Sequence, residues 1–136
     1  MSNDRIQRLQ ESVIDGRTEN VRYRQNQLQA LHLALRNNAD RICNAIAKDA
    51  QVQSSNAEVE VEYYLSTNAV KHFYESLKFE ASIKEEYAVA NGVDNARRRV
   101  GYGLVIIRPT THTRLYSAIC PLAAALAAGN SVIVEV

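Results

Sequence analysis

Neither sign of charge dominates this sequence: 16 Lys+Arg stand against 15 Asp+Glu, a net charge of +1. Nucleic acid and membrane surfaces as main partners both call for a basic excess, so neither is expected. Cysteine is scarce. Cys43 and Cys120 form no CxxC pair and lie in helix-like surroundings, which argues against a disulfide scaffold and for two reduced thiols in a cytoplasmic protein. The opening residues Met1-Ser2-Asn3-Asp4-Arg5 hold no apolar segment of the kind a secretory signal needs. Long hydrophobic runs are missing too. The longest, from Ala118 to Ala128, is interrupted by Pro121 and is too short to span a bilayer. His32, His72 and His112 and the two cysteines are spread too widely for metal-ligand spacing, so no metal is expected. Gly101-Tyr102-Gly103 precedes a strand, whereas a dinucleotide fingerprint follows one and opens a helix. It reads as a turn, and no cofactor is expected.

What is present is periodic, without repeats or low-complexity segments. Ile6, Leu9 and Val13 mark one face of a short helix that stops near Gly16. A longer helix follows Thr18, with Glu19 and Asn20 in its first turn and Leu28, Leu31, Leu35, Ile42 and Ile46 as its apolar stripe. A third starts in Ser54-Ser55-Asn56 and carries Val61, Leu65, Ala69, Phe73 and Leu77 at steps of four. Three antiparallel helices are expected from these. Ala81 to Ala90 and Arg97 to Tyr102 read as the strands of a β-hairpin around Asn91-Gly92. Leu104 to Ile107 and Val132 to Val134 read as buried parallel strands joined by an apolar helix, Leu115 to Ala128, in a right-handed βαβ unit. The expected class is α/β with α+β character, in one domain over 1–136: a helical part over 1–79, then the hairpin and the βαβ unit over 80–136. Two parallel strands make an incomplete sheet. A homo-oligomer formed through its bare edge and the helices, or docking onto another chain, is therefore expected.

Three segments carry a resemblance: Gly103-Leu-Val-Ile-Ile-Arg-Pro109, Pro121-Leu-Ala-Ala-Ala-Leu-Ala-Ala-Gly-Asn130 and Ser131-Val-Ile-Val134. Together they resemble the aldehyde dehydrogenase superfamily, nearest its fatty-aldehyde-type branch, and the preceding helices match in order and length. The resemblance implies a truncated N-terminal portion. The family's catalytic cysteine, general-base glutamate and Gly-rich nucleotide loop all belong to the part this sequence does not contain. It also implies two rewritten motifs. The family's first strand runs into Trp-Asn-(Tyr/Phe)-Pro, whose asparagine helps hold the developing oxyanion. Here the residues are Thr110-Thr111-His112-Thr113. Aligned from the left Thr111 takes the asparagine position, and aligned from the right His112 does. The family's second strand ends in Lys-Pro, the lysine holding the adenosine ribose, whereas this one ends in Glu135-Val136.

In open α/β sheets ligands collect outside the carboxyl ends of the strands. Arg108 to Thr113 and Glu135-Val136 end there, and the first segment also opens a helix, whose N-terminus favours an anion. Arg108, Thr110, Thr111 and Arg114 are the candidate substrate-binding residues. His112, Tyr116 and Glu135 are the candidate catalytic ones. His112 and Tyr116, four apart, are expected on one helix face. Glu135 is expected to orient His112 or pair with Arg108. A guanidinium to hold a carboxylate or enolate, an imidazole to move a proton and a phenol to donate one suffice for cofactor-free isomerase, cyclase or lyase chemistry on a carbonyl or carboxylate metabolite of specialised metabolism. The competing readings are a non-catalytic interaction protein, pairing with itself or a full-length relative, and a remnant without a role. Mixed with NAD and a fatty aldehyde, the chain is expected to produce no NADH absorbance, and steady NADH formation contradicts this reading.

Overall fold

A computed structural model describes residues 3–49, 56–94 and 99–136. Six α-helices and two strands occur among them: α1 (Asn3–Ile14), α2 (Val21–Asn37), α3 (Ala39–Asp49), α4 (Asn56–Ser76), α5 (Phe79–Ala90), β1 (Leu104–Ile107), α6 (Arg114–Ala127) and β2 (Ser131–Val134). The βαβ unit is present, with β1 and β2 parallel and Leu104 to Ile107 in register with Ser131 to Val134. The α/β class holds, with a far larger helical share than sheet.

The core lies where α2, α4 and α6 meet, around Leu28, Leu35, Val70, Ile119, Ala123 and Ala127. The small alanines let α6 approach closely, and truncating a fully buried core residue such as Leu28 costs about 2–5 kcal/mol. Helix α1 packs on both strands, and Ser12 meets Ser131 hydroxyl to hydroxyl at 2.8 Å.

Local chemistry explains where the sequence reading shifts. Asn20 is not in the first turn of α2 but caps it, its Oδ1 accepting from Arg22 N at 2.8 Å and Tyr23 N at 3.2 Å. The long second helix is two helices, divided at Asn38. There the Asn38 side chain donates back to Ala34 O at 2.9 Å, and its own carbonyl starts α3 by accepting from Ile42 N. In α4 each step of four overshoots a full turn by about 40°, so a stripe spaced by fours winds around the helix. Val61 and Leu65 consequently face solvent, while Phe73 and Leu77 pack on the core. Ser54 and Ser55, expected at the start of this helix, lie outside the described residues.

Among the described residues there is no β-hairpin. Phe79–Ala90 is helix, and Arg99 to Tyr102 forms no strand; Arg97 and Arg98 lie outside the described residues. Asn91-Gly92 ends α5 instead of turning a hairpin: Gly92, at φ 79°, donates to Val89 O, and Val93 N reaches Ala88 O at 2.9 Å. The helix-forming run Lys84-Glu85-Glu86 outweighs the alternation of Ile83, Tyr87 and Val89.

Helix α6 closes the same way and is tied to the sheet as it does so. Gly129, at φ 86°, donates to Leu126 O, and Asn130 N donates to Ala125 O. The Asn130 side chain is buried; its Nδ2 donates to Ala125 O and its Oδ1 accepts from Gly103 N, both at 3.0 Å. Ser131 N then donates to Gly103 O at 2.8 Å, beginning the strand pairing. Arg24 adds a cation at this helix end, donating to Ala127 O at 2.8 Å. Burial pulls the Arg24 pKa down, against the opposing pull of Glu86 and Glu19.

Asn130→Ala leaves the Gly103 N–H without its partner and removes one of the two bonds that Ala125 O accepts, and is expected to lower unfolding stability by about 2 kcal/mol in urea titration. Gly129→Ala is expected to lose about 1–2 kcal/mol, because an L-residue is strained there and its Cβ sits 3.0 Å from Thr18 O. Midpoints equal to wild type in both contradict the role given to this helix end.

Candidate functional site

The parallel register carries the backbone past the strands. Glu135 N donates to Ile107 O at 2.9 Å, which sets Glu135 beside Arg108. Arg108 donates to Glu135 Oε2 from Nε at 2.9 Å and from Nη2 at 2.6 Å. Of the two partners open to Glu135, Arg108 is the one it meets. The pair is exposed, 82% for the Arg108 side chain and 44% for Glu135, so it adds little to stability. It does orient one guanidinium over the strand ends.

Beside it lies an open cleft of about 270 Å³, lined by Arg108, Pro109, Arg114, Glu135 and Val136. Arg114 is steered by a second ion pair, its Nε 3.4 Å from Asp49 Oδ2 at the end of α3. Two guanidiniums therefore share one small cleft, each held by a carboxylate from another element.

The segment between strand and helix is built from hydroxyls. Thr110 Oγ1 and Thr113 Oγ1 both donate to the His112 carbonyl, and Thr110 N donates to Ser117 Oγ at 3.1 Å. Thr113 has φ 49°, a left-handed conformation that is costly for a β-branched residue, and its hydroxyl does not cap α6. Thr111 is exposed. His112 is exposed as well and precedes the first residue of α6, so it does not share a helix face with Tyr116 as expected. Neither His112 nor Tyr116 lines the cleft.

Tyr116 faces Cys120, one turn along α6. A hydrogen bond to that thiol, with the electrostatic effect of Cys120 and slight burial behind it, raises the Tyr116 pKa. The phenol stays protonated across the neutral range, the form able to donate a proton. A residue the sequence reading left out also enters here. Glu62, from α4, accepts from Tyr116 N at 3.2 Å and so places a carboxylate at the α6 N-terminus that had been expected to receive a ligand anion. Only the packing of α4 on α6 brings it there. Among the described residues no group of His, Cys, Asp and Glu side chains could hold a metal, and no helix is long and apolar enough to cross a membrane.

No protein-family model matches the chain, and no solved structure matches it significantly. Curated proteins do. The chain is 33% identical to aldehyde dehydrogenase family 3 member B1 of Bos taurus, and 32% identical to the proteins of that name from Mus musculus and Homo sapiens. Each match takes in 97% of this chain. The chain is aldehyde-dehydrogenase-like. It spans 28% of the length of these relatives, which agree with the fatty-aldehyde-type branch of the resemblance. In this aldehyde-dehydrogenase-like chain the Ala-Ala-Gly-Asn segment has a structural task, closing α6 onto β1. The strand ends, where Arg108 and Glu135 pair, are the part open to solvent.

Spectrophotometric titration is expected to find two tyrosines with midpoints above the ordinary value of about 10, Tyr63, raised chiefly by burial, and Tyr116. Cys120→Ala should bring only Tyr116 back toward that value. A phenol pKa raised by folding contributes stability fully below the unfolded pKa, and that contribution is lost as pH rises through the folded one. The Tyr116–Cys120 contact therefore contributes at neutral pH and is lost on the alkaline side, and an unchanged titration in Cys120→Ala contradicts it.

Proposed function

We propose that the chain is a cofactor-free binder of a small carboxylate-bearing carbonyl metabolite, and that it acts on this ligand by acid–base chemistry of the isomerase, cyclase or lyase type instead of oxidising aldehydes. The observation that carries the reading is the pair of guanidiniums, Arg108 and Arg114, in one cleft at the carboxyl ends of the two parallel strands. Arginine presents a planar fork of donors that matches a carboxylate in two-point contact. Glu135 and Asp49 hold the forks in place, and Thr110 and Thr111 are the hydroxyl residues of the segment that follows Arg108.

The catalytic half of the reading rests on residue chemistry. Neither His112 nor Tyr116 lines the cleft, so the carbonyl end of the ligand must extend out of it past Arg114, where His112 is the group to take a proton from the carbon beside the carbonyl. Tyr116, protonated at neutral pH as an ordinary tyrosine is, is the group to donate one to the developing enolate oxygen. Returning both protons, one of them to a different carbon, completes an isomerisation with no net redox change, so NAD has no part in it. We place the protein in the cytoplasm on the same footing, from its thiols and charge.

The test is a thermal-shift screen against short keto- and hydroxy-carboxylates, with NAD as control. A carboxylate should raise the melting temperature and NAD should not. Arg108→Ala and Arg114→Ala should each weaken binding at least about tenfold, the size of one charge-assisted contact. His112→Ala should bind as wild type but turn the ligand over at least about a hundredfold more slowly. If no carboxylate stabilises the chain and its effects are confined to protein partners, the non-catalytic interaction reading stands in its place.

A further inference from the structure

Arg24 closes α6 but is not neutralised by doing so. Its Nη1 donates to Ala127 O at 2.8 Å and its Nη2 to Glu19 O at 3.1 Å, both backbone carbonyls. Its Nε is buried without a partner, against the rule that buried donors are paired. The same side chain lines a cleft of about 100 Å³ between the end of α6 and α5, together with Arg99 and Gly101 from the segment before β1. From α5 come Ser82, Glu85 and Glu86, which stand side by side at i, i+3 and i+4. Glu86 is near enough for its charge to act on Arg24. Yet no ion pair joins Glu85 or Glu86 to Arg24 or Arg99 among the described residues. Glu19, also in the lining, is already engaged. Two guanidiniums and two carboxylates of α5 thus share one cleft without touching.

We propose that this cleft binds a small free α-amino acid, its carboxylate taken by Arg24 and Arg99 and its ammonium by Glu85 and Glu86. Neither charge alone satisfies the lining. A bare anion would meet the carboxylates of α5, and a bare amine would meet the guanidiniums. A molecule that carries both charges on neighbouring atoms matches both sets, each through charge-assisted hydrogen bonds. Ser82 adds a hydroxyl that can donate or accept. The cleft lies at the amino ends of the strands, away from Arg108 and Glu135. It does not rest on the function proposed for the strand ends, so either can fail alone.

The test follows backbone amide shifts while alanine, acetate or ethylamine is added to the chain. Alanine should give saturable shifts at residues 82–86 and 99–101. Acetate and ethylamine should each bind there at least about tenfold more weakly, the size of one charge-assisted contact. Arg99→Gln and Glu86→Gln replace exposed side chains, so the fold tolerates them, and each should weaken alanine about tenfold. Selectivity should change with the charge removed. In Arg99→Gln alanine should lose its advantage over ethylamine, and in Glu86→Gln its advantage over acetate. The absence of saturable shifts at these residues overturns the proposal. So does acetate binding as tightly as alanine, which makes the cleft an anion site only. Shifts confined to residues 108–114 belong to the other cleft and overturn it as well.

Discussion

The fold depends on one buried side chain. Asn130 has its amide nitrogen on the carbonyl of Ala125, in the last turn of α6, and its oxygen on the N–H of Gly103, where the chain enters β1. Buried polar groups are costly unless paired, so the two contacts fix the end of a helix relative to the start of a strand with little freedom left. Close approach completes the arrangement: a Cβ on Gly101 would lie 2.5 Å from the Gly129 carbonyl oxygen. From this clamp follow the register of the two strands, the placement of Glu135 beside Arg108, and the cleft at the opposite end of the sheet.

The two ends of the βαβ unit therefore differ in kind. At one, Asn130 and Arg24 tie the helix end to the strand start, beside a cleft of about 100 Å³ that Arg24, Glu86, Arg99 and Gly101 help to line. At the other, charged side chains are exposed and restrained only by their ion pairs. Such a division lets residues at the open end be exchanged without disturbing the clamp. Among the segments that carry the resemblance to the aldehyde dehydrogenase superfamily, Gly129-Asn130 and Gly103 form the clamp, and the segments expected to depart from it, Thr110 to Thr113 and Glu135-Val136, lie at the open end.

Much of this was legible in sequence where punctuation and period agree. Helix α6 and the strands on either side of it follow from an apolar helix closed by Gly129-Asn130 between two short β-branched runs. The α5 segment misleads because Ile83, Tyr87 and Val89 fall on alternate positions, and because Asn91-Gly92 serves a helix end as well as a hairpin. The face of α4 misleads because regular steps of four are not the period of a straight helix. At the site, the meeting of Arg108 with Glu135 follows from parallel register alone. The part played by Glu62 does not, since 54 residues separate it from Tyr116 and only tertiary packing joins them.

The most direct test of the ligand account is to follow backbone amide chemical shifts while a short keto-carboxylate is added, and in a separate sample NAD. The account predicts saturable shifts confined to residues 108–114 and 135–136 with the carboxylate, and none with NAD. Shifts that are absent, or that respond to NAD alone, contradict it.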